Sequence, residues 1–175
     1  MKHYFEKIYI WELLRKFEEE YRDNAEQHQM HVYKVEDKVF CQKNGQIRQF
    51  ALNITDLVNT RINASGIQNG LVHCFSMHTT SGIVMQHFEH GFITDLFKHL
   101  QKNYFSKKYA HDIWEEEDHP GRRNADAHMM SVYTGTSCVV SVVEGKLQCG
   151  KFENIICLEF DARIDKEFCI QIFGE

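Results

Sequence analysis

The chain has 175 residues, 43% of them hydrophobic and 26% charged, which is the balance of an ordinary globular domain long enough to bury a core. A net charge of -5 supplies no field that would draw it onto nucleic acid or an anionic membrane, and no apolar run approaches the roughly 20 residues a membrane span needs. The first 21 residues alternate charged and apolar side chains without a signal-peptide core, so the expected location is cytoplasmic and no membrane or nucleic-acid partner is expected.

Along the chain, Tyr4, Ile8, Trp11, Leu14, Phe17 and Tyr21 fall on one face of a helical wheel, which predicts an amphipathic helix over residues 3–22. A polar link at 23–29 follows. The period then shortens: Val32 to Val35 and Gln46 to Ile54 read as strands, with a turn at Asn44-Gly45. Thr55 begins a short helix through Ile62 that ends near Ser65-Gly66. Leu71 to Met77 reads as a strand, continued by Ile83 to Met85 beyond His78-Thr79-Thr80. Phe92, Ile93, Leu96, Phe97 and Leu100 mark a second helix. Residues 101–123 read as polar and irregular, with an acidic run at 115–118, and Ala125 to Val132 as a short third helix. The segments 138–143, 146–148, 155–160 and 168–173 close the chain as strands, with a tight turn at Glu144-Gly145. Strands dominate, helices enter singly and no βαβ alternation appears. The fold class expected is therefore α+β, with mostly antiparallel strands and a few inserted helices. The domain division expected is an N-terminal helical extension over 1–30 and one domain over 31–175.

Six cysteines form no C-x-x-C pair, and most lie in apolar, strand-like contexts, as small buried hydrophobes do. The polar, small-residue stretches hold the candidate chemistry. His78 follows an apolar strand and precedes Thr79 and Thr80; His111 adjoins Asp112; His128 closes the run Asn124-Ala125-Asp126-Ala127-His128 after the lone Pro120-Gly121 turn. Neutral imidazole is a common ligand for zinc-like metals, so convergence of His78, His111 and His128 would make a metal site, with Asp112 orienting an imidazole or moving a proton. Surface histidines at strand ends are the ordinary alternative in a chain with 11 of them. Thr79, Thr80, Arg122, Arg123 and Asn124 are candidates to hold a phosphate, although two adjacent arginines are more often a solvated surface. No P-loop, GxGxxG or nucleophile elbow is present.

Taken in order, these motifs resemble the YjbQ-like family. The series is His78-Thr79-Thr80, Glu89, Asp95-Leu96, Tyr109-Ala110-His111-Asp112, Asn124-Ala125-Asp126-Ala127-His128, Gly135-Thr136-Ser137, Gly145 to Gly150 and Glu159-Phe160-Asp161. The resemblance spans roughly residues 32–175, with the first helix outside it. It implies a β-sandwich-like core, a homotrimer, and a histidine cluster able to hold a divalent metal, zinc above all. It also implies a secondary thiamine-phosphate synthase activity: a metal-dependent transferase joining a hydroxymethylpyrimidine diphosphate to a thiazole phosphate and releasing pyrophosphate. Gln86, His87 and Phe152-Glu153 depart from the family pattern. His87 then becomes a candidate base in place of the usual glutamate. The departures leave two alternatives open, a non-catalytic trimer that binds a metal or an anion, and a metal-dependent phosphate-ester hydrolase.

Overall fold

The computed structural model describes residues 1–10, 31–35, 38–43, 46–105, 107–118, 123–163 and 166–175; within 31–35, 38–43, 46–48 and 115–118 it describes the backbone. Among the described residues, ten strands form two antiparallel five-stranded sheets. The first has the order β1 (Lys2–Tyr9), β10 (Glu167–Gly174), β5 (Gly70–Ser76), β7 (Ser137–Val143), β8 (Lys146–Leu147). The second has the order β2 (His31–Val35), β3 (Lys38–Lys43), β4 (Gln46–Asn53), β9 (Asn154–Glu159), β6 (Ser81–Gln86). Four helices are described: α1 (Thr55–Ser65), α2 (His90–Tyr104), α3 (Ala110–Asp118) and α4 (Ala125–Thr134). The expected α+β class with antiparallel strands and single inserted helices is what the chain adopts.

Period-2 patterning explains why the sheets stack. In β5 and β7, Val72, Cys74, Val140 and Val142 point inward, while Leu71 and Val139 point out. The inward set meets Phe50, Leu52, Ile83, Ile155 and Cys157 of the second sheet, with α1 adding Val58 and Ile62, in one core. A second core lies on the other face of the second sheet. There Ala51, Ile156, Leu158 and Phe160 pack against Ile93, Phe97 and Leu100 of α2 and Ala127 and Met130 of α4. Strand β9 is buried on both faces, so its near-continuous apolar run serves two cores at once. The layers are sheet, sheet, helices.

Two details fix the entry and exit of these elements. The β7–β8 hairpin turns through Glu144 (φ 51°) and Gly145 (φ 70°), both positive, which is the type I′ geometry that matches strand twist. The carboxylate of Glu89 accepts hydrogen bonds from the backbone N–H of Gly91 at 2.7 Å and Phe92 at 2.9 Å, closing the N-terminus of α2.

The N-terminal helix expected over 3–22 is corrected for its described part. Residues 2–9 are strand β1, paired in register with β10 from Lys2↔Gly174 to Tyr9↔Glu167; the remainder of that helix, from 11 on, and the link at 23–29 lie outside the described residues. The reason is that Tyr4 and Ile8 are four apart, a spacing that a helix face and a strand face share. With Glu6 between them on the inner side and Phe5 and Tyr9 exposed, period 2 also holds. The open edge of β10 then decides, because pairing satisfies both backbones. The irregular stretch expected over 101–123 is corrected as well: α2 runs on to Tyr104 and Ala110–Asp118 is a helix. Its signal was hidden because Ile113 and Trp114 point outward, 61% and 69% exposed, and blur the apolar stripe. Strand β3 at 38–43 was not foreseen.

Candidate functional site

Two short helices and one turn bring the chemistry together. Helix α4 is pressed onto β6. The Ser131 hydroxyl donates to the carbonyl of Ser81 at 2.7 Å. At Gly82 a Cβ would stand 2.5 Å from Thr134 Oγ1 and 3.0 Å from the Gly135 carbonyl, so only glycine lets the helix end approach the strand this closely. Helix α3 is tied to the start of α4 by Asp112, whose Oδ1 accepts the Ala125 backbone N–H at 3.0 Å and serves as an external cap.

These constraints set His111 and His128 edge to face, with ring centroids 5.0 Å apart. Both line a cavity of about 410 Å³ together with Tyr109, Ala110, Ala125 and Met129. Each imidazole has one nitrogen engaged on its protein side. His128 Nδ1 lies 3.1 Å from the carbonyl of Thr79; a carbonyl can only accept, so Nδ1 carries a hydrogen, and in the neutral ring the lone pair is on Nε2. His111 Nε2 lies 3.2 Å from Asn124 Oδ1. The amide cannot turn over, because Asn124 Nδ2 donates to Asp161 Oδ2 at 3.0 Å. Asp161 is in turn held by Arg163, through Nε at 2.5 Å and Nη2 at 2.9 Å. Nε2 of His111 is therefore the donor and its Nδ1 keeps a lone pair. The two rings are locked in opposite tautomers.

Charge around this pair is divided. Burial pushes Asp161 up, but the Arg163 guanidinium and the Asn124 amide outweigh it and hold the carboxyl below the usual range. Asp126 is raised, by burial first and by the neighbouring Asp112 and Asp161 carboxylates against the opposing Ala127 N–H. Below the Thr79–Thr80 turn lies a buried network. Glu159 accepts from Ser81 Oγ at 2.5 Å and from the Asp161 N–H at 2.8 Å, and Lys166 Nζ lies 3.9 Å from it and donates to Thr80 Oγ1 at 2.8 Å. Burial lifts Glu159 to about 6 even though the Lys166 charge and the Ser81 hydroxyl pull it back.

The structure thus gathers His111, His128, Asn124 and the backbone of Thr79. Asp112 stands beside them, with one carboxylate oxygen used as a helix cap. Thr79 is exposed, whereas Thr80 is buried and its hydroxyl is engaged by Lys166 and Glu159. Arg123 is exposed just ahead of α4, and Arg122 lies outside the described residues. His78 shares the turn with Thr79. His87 sits beyond the far end of β6, about 20 Å of strand rise from Thr80, with its ring 5.4 Å from that of Phe152. Sequence reasoning missed Tyr109 and Met129 as cavity walls, and missed the Glu159–Lys166 pair. One signal was available for the latter, a lone carboxylate closing the apolar run 155–158 of a doubly buried strand.

A divalent metal on three histidines does not fit this arrangement. Among the described residues no group of three or more His, Cys, Asp or Glu side chains is placed to hold a metal ion. The two imidazoles that converge have no third such side chain beside them among the described residues, and the expected metal-binding character is corrected accordingly.

Residues 40–175 match the family model described as UPF0047 protein YjbQ-like. The chain belongs to this family. A UPF0047 protein of Archaeoglobus fulgidus is 34% identical over 111 residues, covering 63% of this chain and 80% of that protein. The UPF0047 protein YugU of Bacillus subtilis is 30% identical over 128 residues, covering 73% and 92%. A crystal structure from Sulfolobus solfataricus, described as a YbjQ-like protein of unknown function, superposes with a TM-score of 0.69 at 26% identity and covers 99% of both chains. The YjbQ-like resemblance seen in the motif series is thereby established, and with it the fold. The expected activity is not. These relatives carry a family designation and no reaction, and the described residues lack the metal group on which the transferase depended. The expectation of a thiamine-phosphate synthase-like transferase, and with it the metal-dependent alternatives, is withdrawn. Among the described residues no helix is long and apolar enough to cross a membrane.

Proposed function

We propose that this chain is a general acid–base catalyst acting on a small, partly apolar molecule that carries a transferable proton. One observation supports the reading above the others: two imidazoles 5.0 Å apart on one cavity, pinned in opposite tautomers by Thr79 and by the Asn124–Asp161–Arg163 chain. Each then keeps one unprotonated nitrogen able to take a proton, while its N–H is stabilised from behind. Positioned proton transfer of this kind contributes about a hundred- to ten-thousand-fold in rate. The cavity, about 410 Å³ and walled by Tyr109, Met129 and two alanines, has the size and apolar lining of a small-molecule site.

The test uses ¹⁵N-histidine-labelled protein and a panel of small aryl ketones and 1,3-dicarbonyl compounds, followed in D₂O for exchange of their acidic C–H. The expected result is that binders move both imidazole resonances, and that exchange is lost in His111→Ala and His128→Ala. Binders that shift other resonances and leave both imidazoles still, with exchange equal in the variants, would remove the reading.

The homotrimer and a cytoplasmic location belong to the same proposal. A second copy is supported by Val132 and Tyr133, 80% and 60% exposed on α4 beside the cavity wall Met129; a monomeric mass by light scattering at working concentration would refute it. The location is supported by five described cysteines that are all free thiols. Secretion of the full chain into an oxidising compartment would refute it.

A further inference from the structure

Five described cysteines are free thiols, and they are not evenly spread. Cys74 on β5 and Cys138 on β7 are direct cross-strand partners. Both belong to the inward set of the first sheet: Cys74 is fully buried and Cys138 is half-buried at the edge of the same core. The pair type follows from the ladder. Ser76 N–H donates to Thr136 at 2.9 Å, which makes 76/136 a hydrogen-bonded pair; two residues back along each strand, 74/138 is the next pair of that type. Such pairs have Cα atoms about 5.5 Å apart, inside the range of about 4.4–6.8 Å that a disulfide bridges, while their Cβ atoms, about 4.5–5.5 Å apart, must draw together by about 1 Å to close the bond. The two side chains enter the same core from directly opposed positions, Cys138 nearer its open edge and Cys74 behind it. The half-buried thiol is thus the one a small oxidant reaches first, and the buried thiol stands behind it.

We propose that Cys74 and Cys138 are a peroxide-responsive thiol pair that closes to a cross-strand disulfide. The Cys138 thiol gives up its proton and its sulfur attacks the peroxide; the O–O bond breaks and the departing hydroxide takes up that proton and leaves as water. Cys138 is now a sulfenic acid, oxidised by two electrons as the peroxide is reduced. The Cys74 sulfur attacks the Cys138 sulfur, the S–S bond forms, the S–O bond breaks, and the oxygen departs as water with the Cys74 proton. The sum is two thiols and one hydrogen peroxide giving one disulfide and two waters. The bond would tie the strand that runs into the Thr79 turn to the strand that leaves α4, two residues from the Ser76–Thr136 hydrogen bond. This inference is independent of the acid–base reading.

The test treats the full-length reduced protein with one equivalent of hydrogen peroxide and maps it by mass spectrometry without reduction. The expected product is lighter by about 2 Da, contains one linked peptide joining Cys74 to Cys138, and reverts on adding a dithiol. Cys169→Ser, which removes the thiol 3.4 Å from Met77 Sδ, should leave that link intact. Cys74→Ala, treated with two equivalents of peroxide, should end at Cys138 sulfinic acid, heavier by about 32 Da, instead of the disulfide. The proposal is overturned if the first oxidation product of the wild-type protein lies at any cysteine other than Cys74 and Cys138, or if Cys138 over-oxidises while Cys74 stays reduced.

Discussion

Glu159 shows how one residue can be read twice. It has no exposed surface, yet its partners are the hydroxyls of Ser81 and Thr80, a backbone N–H and the Lys166 ammonium at 3.9 Å. Burial dominates and lifts the carboxyl from 4.5 to about 6. The folded protein then holds a proton that the unfolded chain has already released between those values, so stability falls as pH rises through that window. A displacement of this size is worth on the order of 2 kcal/mol. Glu159→Gln leaves nothing at this position to titrate, so the variant lacks this pH-dependent contribution across the window. The difference in unfolding free energy, wild type minus variant, should therefore decline between about pH 4.5 and about 6, as read by urea titration; a flat or rising difference would refute the assignment. Asp161 carries the opposite sign, since its folded value is depressed and its contribution is lost only as pH falls below 3.8. At Asn124 the prediction is structural and spectroscopic. Asn124→Ala removes the acceptor of His111 Nε2–H and a donor to Asp161, and should cost about 1–3 kcal/mol. The ¹⁵N spectrum of His111 should also change from one tautomer to a mixture. The histidines and Asn124 were legible in the sequence as a motif. Their tautomers were not, because these depend on a carbonyl 49 positions from His128 and a carboxylate 37 positions from Asn124.

At the scale of elements, legibility followed periodicity. Helix α2 was plain because Ile93, Phe97 and Leu100 share a face and all are buried. Strands β5, β7, β9 and β10 were plain from their apolar runs. Strand β1 was not, since a four-residue spacing fits both periods and only the open edge of β10 selects between them. Helix α3 was not, since its apolar side chains face solvent. The placement of α4 turns on a residue with no side chain. Gly82→Ala would drive a methyl toward Thr134 Oγ1 and the Gly135 carbonyl, in a layer already close-packed. The expected loss is about 1–3 kcal/mol with a lower Tm. Thr134→Ala in the same chain removes the nearer of the two clashing groups and should restore part of that loss. If the double variant were no more stable than Gly82→Ala alone, the close approach of α4 to β6 would not be what limits the site.

For the whole molecule, the decisive feature is that β9 belongs to both cores. Ile155 and Cys157 close the space between the sheets, while Ile156 and Leu158 close the space beneath α2 and α4. Neither layer can part from the second sheet without exposing one face of the same strand, so the three layers should melt together. Phe97, under the helices, and Phe168, between the sheets, are both fully buried in separate cores. Phe97→Ala and Phe168→Ala should each cost about 3–5 kcal/mol. As they share no core, the double variant should lose the sum to within about 0.5 kcal/mol. The sharper expectation concerns shape. In Phe97→Ala, the near-ultraviolet signal of Trp114 on α3 and the far-ultraviolet strand signal should move to one common, lower midpoint in urea. Separate midpoints, with the helical layer lost first, would mean that β9 does not couple the cores. In that case the cavity between α3 and α4 could open while the sheets remain folded.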